Sequence, residues 1–119
     1  MVHLHSTYAT ALSCLPDVDP DDAVPALTPY VVMRVGKVKV IPYMRPGDPA
    51  LGDRIRDLDG RHAAVLLANH GPVVAARDLA GAVSAIEELE ETAKLALLLG
   101  GRAPRTLTAE QIAELEKVF

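Results

Sequence analysis

The chain has 119 residues, a formal net charge of −4 and a pI near 5.5, and half of its residues are apolar while 3% are aromatic. This length supports one domain at most, and the apolar and charged fractions are those of a globular protein rather than a disordered one. The mild acidity argues against a nucleic-acid or anionic-membrane surface, and the shortage of aromatic rings argues against base-stacking modules.

Targeting signals are not evident in the sequence. No apolar run approaches the roughly 20 residues of a membrane span, and the start, Met-Val-His-Leu-His, lacks the basic and apolar regions of a signal peptide. The lone cysteine, Cys14, has no internal disulfide partner, which fits a reducing compartment. We therefore expect a cytoplasmic protein with no nucleic-acid or membrane partner. The high aliphatic content further predicts apolar surface that a partner subunit or missing sequence covers.

The chain begins with a predicted strand followed by a predicted helix. Apolar and polar residues alternate over residues 2–5, which indicates a strand. Ser6 is a plausible N-cap for a helix over residues 7–15. The acidic, proline-containing segment 16–22 is typical of a solvated loop. The apolar side of the helix would hold Ala9, Leu12, Cys14 and Leu15.

The next part of the chain is less clear. Residues 24–35 favour neither helix nor strand, because Pro25 and Pro29 exclude a long helix while the residues after them suit either structure. Residues 38–41 alternate in polarity and predict a strand, which a proline ends.

The following segment predicts one helix and two apolar segments. Asp48 precedes a proline and is a good N-cap for a helix that we expect to end at Gly60. Its apolar positions are Leu51, Ile55 and Leu58. The continuous apolar run 63–68 indicates a buried strand, and a second apolar segment, 73–76, follows a short interruption.

The C-terminal third carries the clearest helix of the sequence. Asp78 would cap a helix over residues 79–99, and Gly100 with its neighbour would end it. Thr108 and Gln111 have the spacing of a capping box and predict a last helix. The apolar stripe of the long helix holds Leu79, Ala82, Val83, Ile86, Leu89, Ala93, Ala96 and Leu97, together with Glu90. The last helix places Ile112, Leu115 and Val118 on its apolar side.

Two histidines in the first strand are candidate metal ligands. In a strand, His3 and His5 point to the same face, so their imidazoles would converge. Two imidazole nitrogens make half of a tetrahedral zinc site. The pair alone is more simply explained by two exposed histidines near a terminus, or by one that is buried and hydrogen-bonded.

A third histidine interrupts the apolar segments. His70 lies in the sequence Asn-His-Gly-Pro, which has little reason to divide a buried strand unless a side chain is aimed at something. It is a candidate third ligand, and three histidines would leave positions open for a catalytic metal. A plain hairpin turn or bulge with a surface histidine is the alternative. We expect His62 to lie at the surface.

Two further features bear on function. Tyr30, one of few polar aromatic residues, is a candidate catalytic residue, or else an interface or core residue. The acidic run 87–91 lies on the long helix and is expected to be a solvated face. We find no Ser/His/Asp order, no P-loop and no Gly-x-Gly-x-x-Gly sequence.

The combined motifs resemble a known family. Residues 3–12 (HLHSTYATAL) and residues 67–72 (LANHGP) are similar to the class II aldolase/adducin family. Residues 29–36 (PYVVMRVG), with the later Pro-Tyr and Pro-Gly-Asp, resemble its branch of 3-oxo-tetronate 4-phosphate decarboxylases. The end of the long helix and residues 107–112 also fit. The resemblance covers essentially the whole chain.

The resemblance implies a fold and a chemistry. The family fold is a three-layer α/β/α arrangement with a central, mainly antiparallel sheet, and residues 1–119 would be its C-terminal portion. His3, His5 and His70 match the family's ligands for a divalent metal, usually Zn²⁺. Tyr30 matches a tyrosine that, in the aldolases, protonates the product in the neighbouring subunit's site. Family members are usually homotetramers.

The implied activity is that of a metal-dependent carbon–carbon lyase. The substrate would be a small phosphorylated sugar acid, and the reaction decarboxylation of a 3-oxo-tetronate 4-phosphate. A sugar-phosphate aldolase or epimerase of the same family, and a non-catalytic adducin-like binding module, are the alternatives. The family's phosphate-binding loops and its acidic residue have no match in this chain. We therefore expect a fragment or truncated product that is catalytically incomplete alone.

Overall fold

A four-stranded sheet forms the centre of the computed structural model, which describes residues 1–58 and 60–119. In the sheet, the strand order is β1-β4-β3-β2. The β1/β4 and β3/β4 pairs are antiparallel, and β2 pairs with β3 in parallel. The sheet is thus mainly antiparallel, as expected. The strands are β1 (Val2–His3), β2 (Val38–Ile41), β3 (Ala64–Leu67) and β4 (Gly71–Val74).

Helices connect and cover the strands. The prediction of a long helix capped by Asp78 is confirmed, and so is the capping box of the last helix, in which Thr108 and Gln111 exchange hydrogen bonds of 2.9 and 3.1 Å. None of the described helices is long and apolar enough to cross a membrane. The helices are α1 (Thr7–Ser13), α2 (Pro29–Arg34), α3 (Pro49–Arg56), α4 (Leu79–Leu99) and α5 (Ala109–Val118).

Apolar side chains of the sheet pack on both of its faces. Along β3, Ala64 and Leu66 belong to a cluster with residues of α1, α2 and α4, whereas Val65 and Leu67 belong to a second cluster with α3. This alternation follows from the period of two in a strand. Since helices cover both faces, the expected three-layer α/β/α arrangement is confirmed.

Three elements are shorter than the sequence predicted. The first strand stops at His3, because the next pair would place Leu4 opposite Pro72, which has no N–H to donate to the ladder. Helix α1 ends at Ser13, and Cys14 and the next residue are exposed rather than on the apolar side. The proline at position 16 explains this end, since it disfavours helical backbone in the residue before it.

Helix α3 ends at Arg56 rather than at Gly60. Its last turn tightens, because the backbone N–H of Leu58 bonds to Ile55, three residues earlier. The ambiguous segment 24–35 contains a helix, α2, with a proline at its first position. Gly36 follows α2 with a φ of 78° and donates to the carbonyl of Val31 at 2.8 Å, which completes the helix end.

Large apolar side chains remain on the surface of the chain. Tyr43, Leu79 and Leu98 are each at least 60% exposed, and the two C-terminal residues are similarly exposed. Surface of this kind agrees with the expectation of excess apolar area. What covers it stays a prediction.

Candidate metal centre

Three imidazoles meet at one end of the sheet. His3 lies at the end of β1, His5 follows two residues later, and His70 lies in the turn between β3 and β4. The Nε2 atom of His70 is 3.2 Å from that of His3 and 3.1 Å from that of His5. The structure therefore brings together the three histidines that the sequence singled out.

The spacing of the three nitrogens suits a shared metal ion. Zinc–nitrogen bonds of about 2.0–2.1 Å in a tetrahedral site place the ligand nitrogens about 3.3–3.4 Å apart. The observed separations of 3.1 and 3.2 Å are close to this value. Among the described residues, this group contains imidazoles and no carboxylate.

The tautomer of His3 also suits a ligand. Its Nδ1 lies 2.9 Å from the carbonyl oxygen of Pro72. Because a carbonyl oxygen can only accept, Nδ1 must carry the proton, and Nε2 keeps a free lone pair. Such a bond on the far nitrogen is the usual way in which proteins orient a metal-binding imidazole.

Electrostatics favour the neutral form of the central imidazole. Burial lowers the pKa of His70 below its ordinary value, and the neighbouring positive forms of His3 and His5 lower it further. A metal ligand must be the neutral imidazole, so a lowered pKa keeps His70 ready to bind at neutral pH.

The turn that carries His70 is a tight hairpin. Asn69 adopts a φ of 57°, and the N–H of His70 donates to the carbonyl of Leu67 at 3.0 Å. The simpler interpretation of a hairpin turn is therefore right about the backbone, yet the turn also aims its imidazole at the other two histidines. His70 can therefore be a metal ligand although it lies in an ordinary turn between two strands rather than in an interruption of one strand.

Gly71 allows the segment that carries His3 and His5 to approach the turn that carries His70. A Cβ atom at this position would lie 2.6 Å from the carbonyl oxygen of Leu4 and 3.6 Å from the Cα of His5. Its φ of 157° is also one that side-chain-bearing residues rarely adopt. Glycine is thus needed for the close approach of the residues after β1 to the turn.

Helix α1 links the two sequences that carry the histidines. It begins two residues after His5. The Thr10 hydroxyl donates to the carbonyl of His70 at 3.4 Å, and the N–H of Asn69 donates to the carbonyl of Ser13 at 3.1 Å. The helix therefore holds the turn directly.

Sequence reasoning missed the role of Glu90. Its carboxylate accepts the backbone N–H groups of Tyr8, at 3.1 Å, and Ala9, at 2.7 Å, in the first turn of α1. The expectation of a solvated acidic face is therefore wrong for Glu90, although Glu87 and Glu91 are exposed. The signal was its place on the apolar stripe of α4, where a charged residue needs partners.

Tyr30 and His62 lie in other surroundings. Tyr30 is 52% exposed, and the Arg34 guanidinium lies 5.4 Å from the centre of its ring. His62 is half-buried rather than fully at the surface. Its Nδ1 atom is buried and has no hydrogen-bond partner within the described part of the chain.

The fold and the sequence place this chain in one family. Residues 1–97 match the family described as Class II Aldolase and Adducin N-terminal domain. The chain therefore belongs to the class II aldolase/adducin family, as its motifs predicted.

Particular relatives give a finer picture. The chain is 61% identical to a 3-oxo-tetronate 4-phosphate decarboxylase of Pectobacterium atrosepticum, over 97% of this chain and 53% of the relative. It is 33% identical to an L-fuculose phosphate aldolase of Methanococcus maripaludis, over 80% of this chain and 49% of the relative. The chain spans about half the length of the curated relatives it matches.

Solved structures agree with the fold. YgbL from Escherichia coli, described as a putative aldolase/epimerase/decarboxylase, superposes with a TM-score of 0.92 at 54% identity, over 96% of this chain and 55% of that one. An L-fuculose 1-phosphate aldolase superposes with a TM-score of 0.82 at 32% identity, over 98% and 53%.

Proposed function

We propose that this chain supplies the three-histidine metal site of a divalent-metal-dependent carbon–carbon lyase. We further propose that the protein decarboxylates a 3-oxo-tetronate 4-phosphate, with Zn²⁺ as the metal. The observation that carries the proposal is the convergence of the Nε2 atoms of His3, His5 and His70 at separations of 3.1 and 3.2 Å. The 61% identity to a decarboxylase supports the choice of reaction.

The chain's own residues would prepare the site for this chemistry. A bound divalent cation supplies a Lewis acid that stabilises the electron pair left on a β-keto acid when CO₂ departs. The Pro72 carbonyl fixes the ring of His3 through its Nδ1 proton. His3 and His5 are exposed, which leaves the opposite side of the centre open to a small substrate.

Tyr30 is proposed to deliver a proton in the site of a neighbouring copy. Its exposed fraction of 52% favours a role outside its own chain's centre. The Arg34 guanidinium, which is itself 3.6 Å from the Glu88 carboxylate, holds the ring in place. This role requires a homo-oligomer, for which we propose the tetramer of the family.

The remaining parts of the site are proposed to lie in the half of the relatives that this chain does not match. In this proposal, residues 1–119 are the C-terminal portion of the domain. Phosphate-binding loops and an acidic residue would come from the other portion. The single Cys14 suits the cytoplasmic location that we propose.

One other function has support. A 33% identity to an L-fuculose phosphate aldolase favours aldol cleavage or epimerisation as the second candidate, since it would use the same metal site. The identities of 44–61% to five decarboxylases outweigh it. A binding-only module like adducin has no use for three converging imidazoles.

Metal content tests the site. Purified protein should hold about one Zn²⁺ per chain, and His70→Ala should lose it, because two imidazoles alone rarely retain the ion. His62→Ala is the matched control and should keep it. A chain without metal, with no thermal shift on addition of Zn²⁺, would contradict the site.

Turnover tests the reaction. We expect CO₂ release from 3-oxo-tetronate 4-phosphate by this chain joined to the unmatched portion of the Pectobacterium relative. The same fusion carrying His70→Ala should be inactive. Full activity of the 119-residue chain alone would refute the assignment of phosphate-binding loops elsewhere. Faster cleavage of L-fuculose 1-phosphate would favour the aldolase.

A further inference from the structure

We infer that Glu90 is a positioning residue for the histidine centre. The inference rests on the proposed metal site and adds to it a carboxylate on α4 that touches none of the three imidazoles. Its contact is with the backbone of α1, at Tyr8 and Ala9. Through α1, Glu90 would help to position the segment that carries His5 and the turn that carries His70.

Helix α1 depends on an outside acceptor at its start. The first N–H groups of any helix have no partner within the helix. Ser6 occupies the N-cap position, but its side chain makes no capping bond. The Glu90 carboxylate accepts two of these N–H groups, at 2.7 and 3.1 Å, and its negative charge also suits the positive end of the helix dipole.

The brevity of α1 makes this contact important. The helix has seven residues, and helices much shorter than about 12 residues are marginal in water. Packing of Ala9 and Leu12 against the core supplies part of the stability. Polar contacts of the backbone add to this packing at the start of the helix, through Glu90, and at its end, through Asn69.

Helix α1 contacts the segment that carries His5 and the turn that carries His70. On one side, the chain passes from His5 into α1 within two residues. On the other side, Thr10 bonds to the carbonyl of His70, and Ser13 accepts from Asn69. The turn that carries His70 is also anchored by β3 and β4, with the His70 N–H bonded to the carbonyl of Leu67. A shift of α1 would therefore move His5 relative to His70, whose Nε2 atoms now lie 3.1 Å apart.

The other end of the contact is rigid. Helix α4 has 21 residues and buries Ile86, Leu89 and Ala93 in the main core cluster. Glu90 lies between these buried positions, so its backbone is fixed by packing on either side. The Glu90 carboxylate thus adds a polar link between α4 and the start of α1 to the apolar packing of the two helices.

Cobalt binding separates positioning from stability. Co²⁺ is titrated into the metal-free full chain, with affinity read by chelator competition and geometry read from the visible absorption spectrum. The variants are Glu90→Ala, which removes the acceptor, and Glu90→Gln, which keeps one oxygen. Glu87→Gln and Glu91→Gln are matched controls, because both are exposed on the same helix.

We expect Glu90→Ala to weaken Co²⁺ binding by about 10- to 100-fold, the usual effect of losing a residue that supports metal ligands. Glu90→Gln should fall between Glu90→Ala and the unmutated chain, and the two controls should stay within about twofold of it. The spectrum of the saturated Glu90 variants should also change. Unchanged affinity and spectrum in a folded Glu90 variant would overturn the inference. If Glu90→Ala does not fold, Glu90→Gln decides the question.

A metal-free measurement keeps the two proposals distinguishable. If the unmutated chain binds neither Co²⁺ nor Zn²⁺, the proposed function fails. The nuclear Overhauser effect between the His5 and His70 rings then tests Glu90 alone. It should be lost or reduced in both Glu90 variants and kept in Glu91→Gln. Its full retention in Glu90→Gln and Glu90→Ala would refute the positioning role.

Discussion

The buried sheet and the histidine centre are built in different ways. Strands β3 and β4 are buried at every residue, and apolar clusters lie against both faces of the sheet. The histidine centre, at one end of the same sheet, is partly exposed. It is held by a few polar contacts between residues that lie 56 to 82 positions apart in the sequence.

Stability and metal-site geometry therefore depend on different parts of the molecule. Packing in the sheet is shared among many side chains. Loss of one of them lowers the free energy of unfolding but leaves the orientation of the histidines unchanged. The centre depends on a few backbone contacts, so a small change there alters ligand geometry with a modest effect on stability. Stability and metal affinity should therefore respond to different substitutions.

The largest effect on stability is expected in the sheet. Leu66 lies on β3 with no exposed surface. Leu66→Ala should lower the free energy of unfolding by about 2–5 kcal/mol, because it removes buried methyl groups and leaves a cavity. Urea denaturation measures this change. The folded fraction should still bind one metal ion.

The control for this change lies on the surface. Leu98 is 68% exposed, and Leu98→Ala should change stability by less than about 0.5 kcal/mol. If Leu66→Ala abolished metal binding in protein that remains folded, the separation of the two regions would be wrong.

Gly71 lies where the two regions meet and should affect both. Gly71→Ala places a Cβ atom 2.6 Å from the carbonyl oxygen of Leu4, which must move away from the turn. We expect a loss of about 1–3 kcal/mol of stability from this crowding. Affinity for Zn²⁺ should fall at least about tenfold, since ligand geometry is lost. Calorimetric titration and thermal unfolding measure the two effects.

Gly101→Ala is the matched control for Gly71→Ala. Nothing lies within 4 Å of a Cβ atom at Gly101, and its φ is not in the left-handed region. Both stability and affinity should be almost unchanged. Equal effects of the two substitutions would show that close approach at Gly71 does not matter.

The smallest effect is expected at the far end of α4. Asp78 accepts the N–H of Gly81 at 2.7 Å, and Asp78→Ala should cost about 1 kcal/mol of stability. Asp78→Asn, which keeps an acceptor, should cost less. Since Asp78 is about 18 Å from Glu90 along the helix axis, Zn²⁺ affinity should not change. A loss of affinity would show that α4 transmits its end conformation to the centre.

Much of the fold follows from local pattern. The period of two predicted β2, and a short continuous apolar run predicted the buried β3. The period of 3.6, together with Asp78 and Thr108, predicted α4 and α5. These features depend on residues close together in the chain. The three candidate ligands also came from short motifs, since imidazole is the commonest metal-binding side chain.

Ambiguity remained where tertiary contact decides the local structure. Residues 24–35 suited helix or strand, and α2 formed because Val31 is buried in the main core cluster. The first strand ended at His3 because of Pro72, its neighbour across the sheet. No pattern within either segment contains that information.

Local sequence was enough to predict the buried strand β3, the starts of α4 and α5 and the three candidate imidazoles. Only the packed structure brings the Nε2 atom of His70 within 3.2 Å of those of His3 and His5. It also lets Glu90 accept from the start of α1 and requires Gly71 to lack a side chain. The two sets of features differ because the interactions behind them span different distances along the chain. Periodicity reflects which residues of a short segment face the core. These contacts instead join groups far apart in the sequence, which come close only when the core packs.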